Sequence, residues 1–584
     1  MPKKMDLSTL KAILSSERSQ SLSSMQSSKL TDERQQAMDF YLGHMGKVLP
    51  SVAGRSTAVS TDVADTIEGL MPSLMDIFCG SEQVVKFEPT RADDEDAAAQ
   101  ESDFVNHHFL THGGFLALYS FIKDSLLSKL GVVKIHWVEE VIEHKETYLD
   151  QDEQTYQFLI AQPSVEVIAH SVRPDPYVSQ QQLQQMEQQY LAQQQAQQAQ
   201  QAAQAAQAAQ SAQMQQVAQP GAATQQPGQA AAGSLQMQAP QNVAAQPMQP
   251  FQPPMLHDVT LLCKYKHGYA KCEPVPPEEF GISRSARSIA DSGYCFHEVV
   301  QYEHALIDQG YDPEQLEDVP TYPTYGVEEE RSRDTVDESE FGGDSLNEAN
   351  RRLLITEHYV VLDYEGEGKP CLYRVTTAGE SQTILRRDGK DDIVQWDVMP
   401  FAVMTPVIMT HRVYGRSIAD LVMDIQKIKT ALMRALLDNA YLANNPRHEV
   451  SESHASENTL DDLLVSRPGG VVRSRQPGGI QVLMHPPIGG HVFPLLEYMD
   501  TVREWRTGVT RQGQGIDAQV LQNQSATAVA QAMTASQARM KLIARVFAET
   551  GIKDMFKLLH HTLRMNGTKS ETVKLRGKWV MINP

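Results

Sequence analysis

The apolar residues of this 584-residue chain follow two periods, one helical and one alternating, and the changes between them mark its parts. A Ser- and Lys-rich stretch over residues 1–30 is expected to be poorly ordered. A first helical run follows Thr31. A second begins at Ser60-Thr61-Asp62, where Val63, Ile67, Leu70, Leu74 and Ile77 recur at helical spacing behind a candidate capping side chain. A third covers Asp103–Lys129 and ends at Gly131. Val132–Val138, with Trp137, then reads as a strand, and Val165–Val172 as another. Val259–Lys266 and Tyr269–Glu273 flank His267-Gly268 and predict a hairpin. Thr356–Tyr364, Cys371–Thr377 and Thr383–Arg387 predict further strands between Gly-containing and charged turns.

The helical period returns at Gly415. Ser417 with Asp420 three residues on is a capping-box-like start. Ile418, Leu421, Ile425, Ile428, Leu432, Leu436 and Tyr441 recur at helical spacing until Pro446, a helix of about 27 residues or roughly 40 Å. Residues 447–490 are irregular, with Pro468-Gly469-Gly470, Pro477-Gly478-Gly479 and Pro486-Pro487, and with Val471–Arg473 and Ile480–Met484 as short strand candidates. A second helix is expected to start at Pro494, a favoured first-turn residue, and to run toward Gly508. A Gly/Gln-rich loop, Gln512–Gln524, comes next. A last long helix is expected from Ser525 to Asn566-Gly567, kinked at Gly551.

Composition changes this picture in three places. Residues 178–256 are Gln/Ala-rich and then Pro/Gly/Gln-rich, a composition that cannot bury enough apolar surface to offset its ordering entropy. They read as an inserted loop outside any core, with Leu183, Met186 and Tyr190 able to support a short helix before it. The charge is strongly acidic, 51 basic against 73 acidic side chains, the opposite of a DNA-coating protein. Beyond residue 500, however, basic groups prevail, among them Arg503, Arg506, Arg539, Lys541, Arg545, Lys553, Lys557 and Arg564. The five cysteines, Cys79, Cys263, Cys272, Cys295 and Cys371, match no zinc spacing and read as reduced thiols. The polar start, Met1–Leu10, predicts no signal peptide. The most apolar stretch, Met399–Met409, is too short for a membrane span.

The order helix, irregular module, returning helix, loop and long kinked helix resembles the stem, clip, stem, tunnel loop and crown-side helix of bacteriophage portal proteins. Gly415–Asp420 and Asp438–Arg447 look like the first stem helix and its exit, and Arg506–Arg511 with Gln514–Asp517 like the entry to the loop. Val275–Ser283, with its Pro-Pro-Glu-Glu-Phe, and Gly131–Trp137 are similar to wing segments of portals of short-tailed double-stranded DNA phages.

The resemblance implies an α+β fold. Its parts would be a mixed wing over residues 31–177 and 257–414, stem helices over 415–445 and 491–511, and a small α/β clip over 446–490. A tunnel loop over 512–525, a kinked helix over 526–567 and a returning wing segment over 568–584 complete it. Similar proteins usually continue past this point, sometimes into a helical barrel.

The resemblance further implies a homo-oligomeric ring, usually of twelve copies, at one capsid vertex of the virion, assembled in the host cytoplasm. The partners would be double-stranded DNA in the channel, the major capsid protein, the terminase large subunit and tail adaptor proteins, with no membrane and no cofactor. Gln512, Gln514, Asp517, Gln519, Gln522, Asn523 and Gln524 would line the channel. Arg447, Arg467, Arg473 and Arg475 would make clip contacts. Ile418, Leu421, Ile425, Ile428, Leu432 and Leu436 would pack the stem.

No catalytic or metal residues are expected. Gly43-His44-Met45-Gly46-Lys47 is too short for a phosphate loop and reads as a helix end. His448-Glu449 and His454 fail the zinc-protease spacing, and Cys263, Cys272 and His267 lack a fourth ligand. Asp93–Asp96 reads as a solvated acidic turn. Two other classes stay open at this point: a packaging enzyme, which the missing Walker motif disfavours, and a scaffolding or adaptor protein that never closes a ring.

Overall fold

The computed structural model describes residues 4–174, 184–199, 255–322, 351–509 and 538–567 and the strands 571–575 and 578–582, apart from residues 28, 82, 90, 92–93, 163, 194, 197–198 and 466–468. The chain divides into two compact units, one of Met1–Val138 with Gly268–Pro584 and one of Glu139–His267.

The N-terminal residues correct the first expectation. They form helix α1 (Leu7–Ser27) rather than a poorly ordered tail. Leu10 and Leu14, four residues apart, are fully buried against Tyr294, Phe296, Val360 and Tyr373. Ser21 Oγ donates to the Ile282 carbonyl at 2.7 Å, and Arg18 pairs with Glu298. A Ser-rich helix with low intrinsic propensity is thus held by tertiary contacts.

Helices α2 (Leu30–Leu42), α3 (Asp62–Cys79), α4 (Glu95–Thr111) and α5 (Gly114–Ser128) follow. Gly43 caps α2 in the left-handed region at φ 80°, so Gly43–Lys47 is a helix end. Val63, Ile67, Leu70 and Leu74 on α3 are fully buried, whereas Ile77 is exposed. The run expected over Asp103–Lys129 is two helices, because Gly113 adopts φ 77° and breaks it. A Cβ on Gly114 would meet the Phe109 ring at 2.4 Å, so the two glycines allow the tight corner.

Strands β1 (Gly131–Gln151) and β3 (Met255–Val275) both run from one unit into the other. Here the predicted hairpin is wrong: β3 passes through His267-Gly268 without turning. Gly268 instead gives the Trp137 indole its seat, since a Cβ there would lie 2.3 Å from the ring. In the Glu139–His267 unit, β2 (Val165–Pro174) pairs antiparallel with β3, and α6 (Glu153–Ile160) packs with Tyr156 and Leu159 on Val259, Leu261 and Cys263.

In the larger unit, β4 (Phe280–Ile282), β5 (Tyr294–Tyr302), helices α7 (Glu303–Asp308) and α8 (Pro313–Glu317), β6 (Arg352–Leu362), β7 (Cys371–Ala378) and β8 (Thr383–Ile384) follow in order. After a small hairpin of β9 (Arg386–Arg387) and β10 (Lys390–Asp391) comes β11 (Ile393–Trp396). The resulting antiparallel sheet has the order β11-β7-β6-β5-β4, with β8 beside β7. β12 (Phe401–Met404) pairs with the start of β1, Gly131 opposite Met404.

The long helix α9 (Ala419–Asn444) begins as the capping box predicts. Asp420 Oδ2 accepts from the Ser417 N–H at 2.9 Å, and Ser417 Oγ accepts from the Asp420 N–H at 3.0 Å. It stops before Pro446. The irregular module then holds β13 (Arg447–Val450), α10 (Thr459–Leu464) and β14 (Ile480–Leu483), with β13 antiparallel to β14. Val471–Arg473 is not a strand.

The returning helix α11 (Gly489–Thr507) corrects another reading: it starts five residues before Pro494 and contains that proline. Proline here removes only one early intrahelical bond, toward Gly490. The last long helix is described from residue 538. It passes through a π-helical turn at Ala548–Ile552, which contains Gly551, into α12 (Lys553–Asn566). An antiparallel pair, β15 (Glu571–Leu575) with β16 (Lys578–Ile582), follows it. α2, α3, α5, the start of α9 and both halves of the last helix share one core, including Phe40, Ile67, Phe121, Val422, Phe547 and Leu559.

Candidate functional site

The helix–module–helix hairpin, α9 to α11, is where the candidate residues converge, and its root is electrostatic. Asp62, at the start of α3, is almost fully buried. Lys429 Nζ lies 2.6 Å from Asp62 Oδ1 and 2.8 Å from Asp500 Oδ1, while Arg503 Nη1 lies 3.0 Å from Asp62 Oδ1. Ser60 Oγ donates to the other Asp62 oxygen at 2.6 Å. Two carboxylates face two cations, so the group is neutral as a whole, the condition under which buried charge is tolerable.

Neutral polar groups on α9 extend the seam. Gln426 accepts from the Val63 N–H and donates to the Phe40 carbonyl, both at 2.8 Å. Thr430 Oγ1 accepts from the Ser60 N–H at 3.1 Å. Arg434 donates to the carbonyls of Ala58 and Leu49, and Asp438 accepts from the Ser56 N–H at 2.6 Å. Sequence reasoning missed these residues. Their signal was polar side chains, Gln426 and Thr430, at positions where an amphipathic stripe continues from Val422 and Ile425.

The predicted stem residues divide. Ile418 and Ile425 are buried within the chain; Leu421, Leu432 and Leu436 are half-buried; Ile428 is 42% exposed. Leu437 and Tyr441 are exposed as well. Ile418 and Ile425 therefore belong to the chain's own core, and Ile428 is the predicted stem residue left most open.

The irregular module has almost no core. Leu464, Val471 and Met484 are 82%, 79% and 87% exposed, and Thr459 is its one buried side chain among the described residues. Of the predicted arginines, Arg447 is on β13, opposite Leu483. Arg473 forks onto Asp462, Nε to Oδ2 and Nη2 to Oδ1, both at 2.9 Å, and this raises its pKa. The Arg475 N–H donates to the His454 carbonyl. Arg467 lies outside the described residues. So do all the predicted loop residues: Gln512, Gln514, Asp517, Gln519, Gln522, Asn523 and Gln524.

Strands β1, β6, β7 and β11 and helix α12 border a concavity of about 350 Å³, lined by Lys134, Trp137, Glu357, Arg374, Trp396 and His561 among others. Its two cations, Lys134 and Arg374, are already matched. Lys134 Nζ lies 2.5 Å from Glu357, and Arg374 lies 3.1 Å from Asp392. Burial alone would raise the Glu357 pKa, yet Lys134, together with His297 and Arg374, outweighs it and holds the carboxyl down at about 2. Burial, then Lys134, lowers His136 to about 4, so it is a neutral imidazole. Burial pushes the Cys272 and Cys295 thiols up to about 12. Among the described residues no cluster of His, Cys, Asp or Glu is placed to hold a metal ion, and no helix is long and apolar enough to cross a membrane.

No curated protein matches the chain. The family model described as phage SU10 portal protein matches residues 10–584. With the helix–module–helix hairpin on its charged root and a match over nearly the whole length, the chain belongs to the phage SU10 portal protein family.

Proposed function

We propose that this portal subunit closes with eleven copies of itself into a ring at one capsid vertex, and that double-stranded DNA passes through the ring in packaging and ejection. The observation that carries this is the family match over residues 10–584. In this reading α9 and α11 are the stem, and residues 446–490 are the clip. The exposed apolar side chains of α9, Ile428, Leu437 and Tyr441, pack against neighbouring subunits, while Ile418 and Ile425 stay inside their own. The clip, with its uncovered Leu464, Val471 and Met484, is completed by neighbouring clips and then docks the terminase large subunit and later the tail adaptors. Arg447, Arg467, Arg473 and Arg475 are its candidate contacts. The wing meets the major capsid protein. The protein's role is structural, and no residue acts as a catalyst.

Gln512–Gln524 is the tunnel loop in this reading. Amides touch phosphates transiently, whereas a ring of cations would hold them, with a salt slope that grows by about 0.9 per phosphate neutralised. Gln514→Lys is therefore expected to stall DNA translocation at low salt and to recover partly at higher salt, with ring assembly intact. Packaged DNA length against time, in a defined system with the cognate motor, measures this. A normal rate at every salt concentration removes the loop from the channel constriction. Electron microscopy of the purified chain tests the ring itself: twelvefold particles are expected, and a stable monomer under assembly conditions contradicts the reading.

A further inference from the structure

The last long helix has two faces of opposite character. Ile543, Phe547, Ile552, Met555, Leu559 and Leu563 are buried in the core. From Lys541 to Arg564 the exposed charged residues are five cations, Lys541, Arg545, Lys553, Lys557 and Arg564, against two carboxylates, Glu549 and Asp554. The chain as a whole has the reverse balance, 51 to 73. Glu549 lies 3.4 Å from Lys553, and Asp554 lies 3.9 Å from Lys557. Among the described residues no carboxylate pairs with Lys541, Arg545 or Arg564.

The backbone brings these cations into line. In an uninterrupted α-helix each four-residue step drifts by about 40°, so Lys541 and Lys557 would stand about 160° apart. The π turn at Ala548–Ile552 inserts one residue and sets the second half back by about 100°. All five cations then fall within about 60° of one another around the axis. Packing fixes the turn: a Cβ on Gly551 would lie 2.6 Å from Met404 Cβ and 2.8 Å from Phe121 Cζ. Thr550 Oγ1 donates to the Val546 carbonyl at 2.6 Å.

We propose that this aligned stripe contacts the phosphates of double-stranded DNA in the assembled ring. The inference rests on the portal reading above and adds to it a named DNA-facing surface. An aligned, exposed and under-neutralised row of cations complements a regular polyanion, and the acidic remainder of the chain leaves few competing sites. Because Glu549 and Asp554 temper two of the five, each subunit offers three free cations, and the contact is salt-sensitive and reversible.

The test uses the full chain. Rings of the wild type, of the triple variant Lys541→Gln/Arg545→Gln/Arg564→Gln and of the charge-conserving Arg545→Lys are prepared. Binding of blunt double-stranded DNA is then measured against salt concentration. The triple variant is expected to form rings of wild-type mass with a log–log salt slope shallower by about 0.9 for each phosphate left without its cation. Arg545→Lys is expected to keep the wild-type slope. An unchanged slope in the triple variant overturns the proposal. Loss of rings in that variant alone also overturns it, by making the stripe a contact between subunits. A wild-type chain that never forms rings would instead sink the portal reading, and the stripe with it.

Discussion

The root of the α9–α11 hairpin and its tip differ in what each needs from outside the subunit. At the root, Asp62, Lys429, Asp500 and Arg503 are buried and satisfy one another, and Gln426 and Thr430 bond backbone groups of neighbouring segments. At the tip, the two-stranded β13–β14 ladder and the short α10 leave Leu464, Val471 and Met484 in solvent. A two-stranded ladder without a covered apolar face is marginal on its own. The root is thus complete within one chain, whereas the tip leaves apolar side chains uncovered, which in the proposed ring other copies would cover. The same helices anchor the hairpin at one end and present it at the other.

The largest expected effect breaks the root. Lys429→Met leaves Asp500 without its nearest cation and Asp62 with only Arg503. Removing one partner of a buried ionic group costs about 3–5 kcal/mol. Urea unfolding of the unassembled subunit measures this, and a change below about 1 kcal/mol would show that the root does not anchor the hairpin.

Acid gives the next effect, and it acts on the two β-sheets that carry His136 and His358 rather than on the hairpin. Burial lowers His358 to about 3 and, with Lys134, lowers His136 to about 4, both below the ordinary 6.5. Between those values and 6.5 the unfolded chain holds protons that the folded chain does not. Stability is therefore full above pH 6.5 and falls as the pH drops, by about 1.4 kcal/mol per pH unit for each histidine. Glu357, held at about 2 against an ordinary 4.5, adds a loss in the same direction below pH 4.5. Unfolding followed from pH 7 to pH 4 checks the sign. A subunit that gains stability on acidification would contradict it. His358→Gln is expected to flatten the upper part of the curve.

Smaller effects belong to the tip. Leu464→Ser is expected to change subunit stability by less than about 0.5 kcal/mol, as for surface substitutions generally. The same change is expected to weaken ring formation, seen as a higher concentration needed for assembly in mass measurements. Arg473→Gln, which breaks an exposed fork to Asp462, is expected to leave subunit stability unchanged within error.

How legible these regions were in the sequence follows the same division. The Ser417–Asp420 cap, the length of α9 and its stop before Pro446 were readable, because local chemistry decides them. Gly551 marked a break in the last helix, but the π character of that turn, fixed by packing on Met404 and Phe121, and its effect on Lys541–Arg564 were not readable. Helix α1 was hidden by its serines; only the pair Leu10 and Leu14 hinted at it, and their partners on β5–β7 lie about 280 residues or more away. Gly268 looked like a turn because glycine's other use, admitting a bulky neighbour such as Trp137, depends on a residue distant in sequence. Pro494 looked like a first-turn residue, but α11 begins at Gly489. The root was invisible because Asp62 and Arg503 are 441 residues apart and each alone reads as an ordinary charged position.

Amide hydrogen exchange, compared between the isolated subunit and the assembled ring, tests the contrast most directly. Residues 60–67, 426–434 and 498–507 at the root are predicted to be protected in both states. Residues 447–488 at the tip are predicted to exchange rapidly in the subunit and to become protected on assembly. A tip already protected in the isolated subunit, or still unprotected in the ring, would contradict the claim that neighbouring copies complete it.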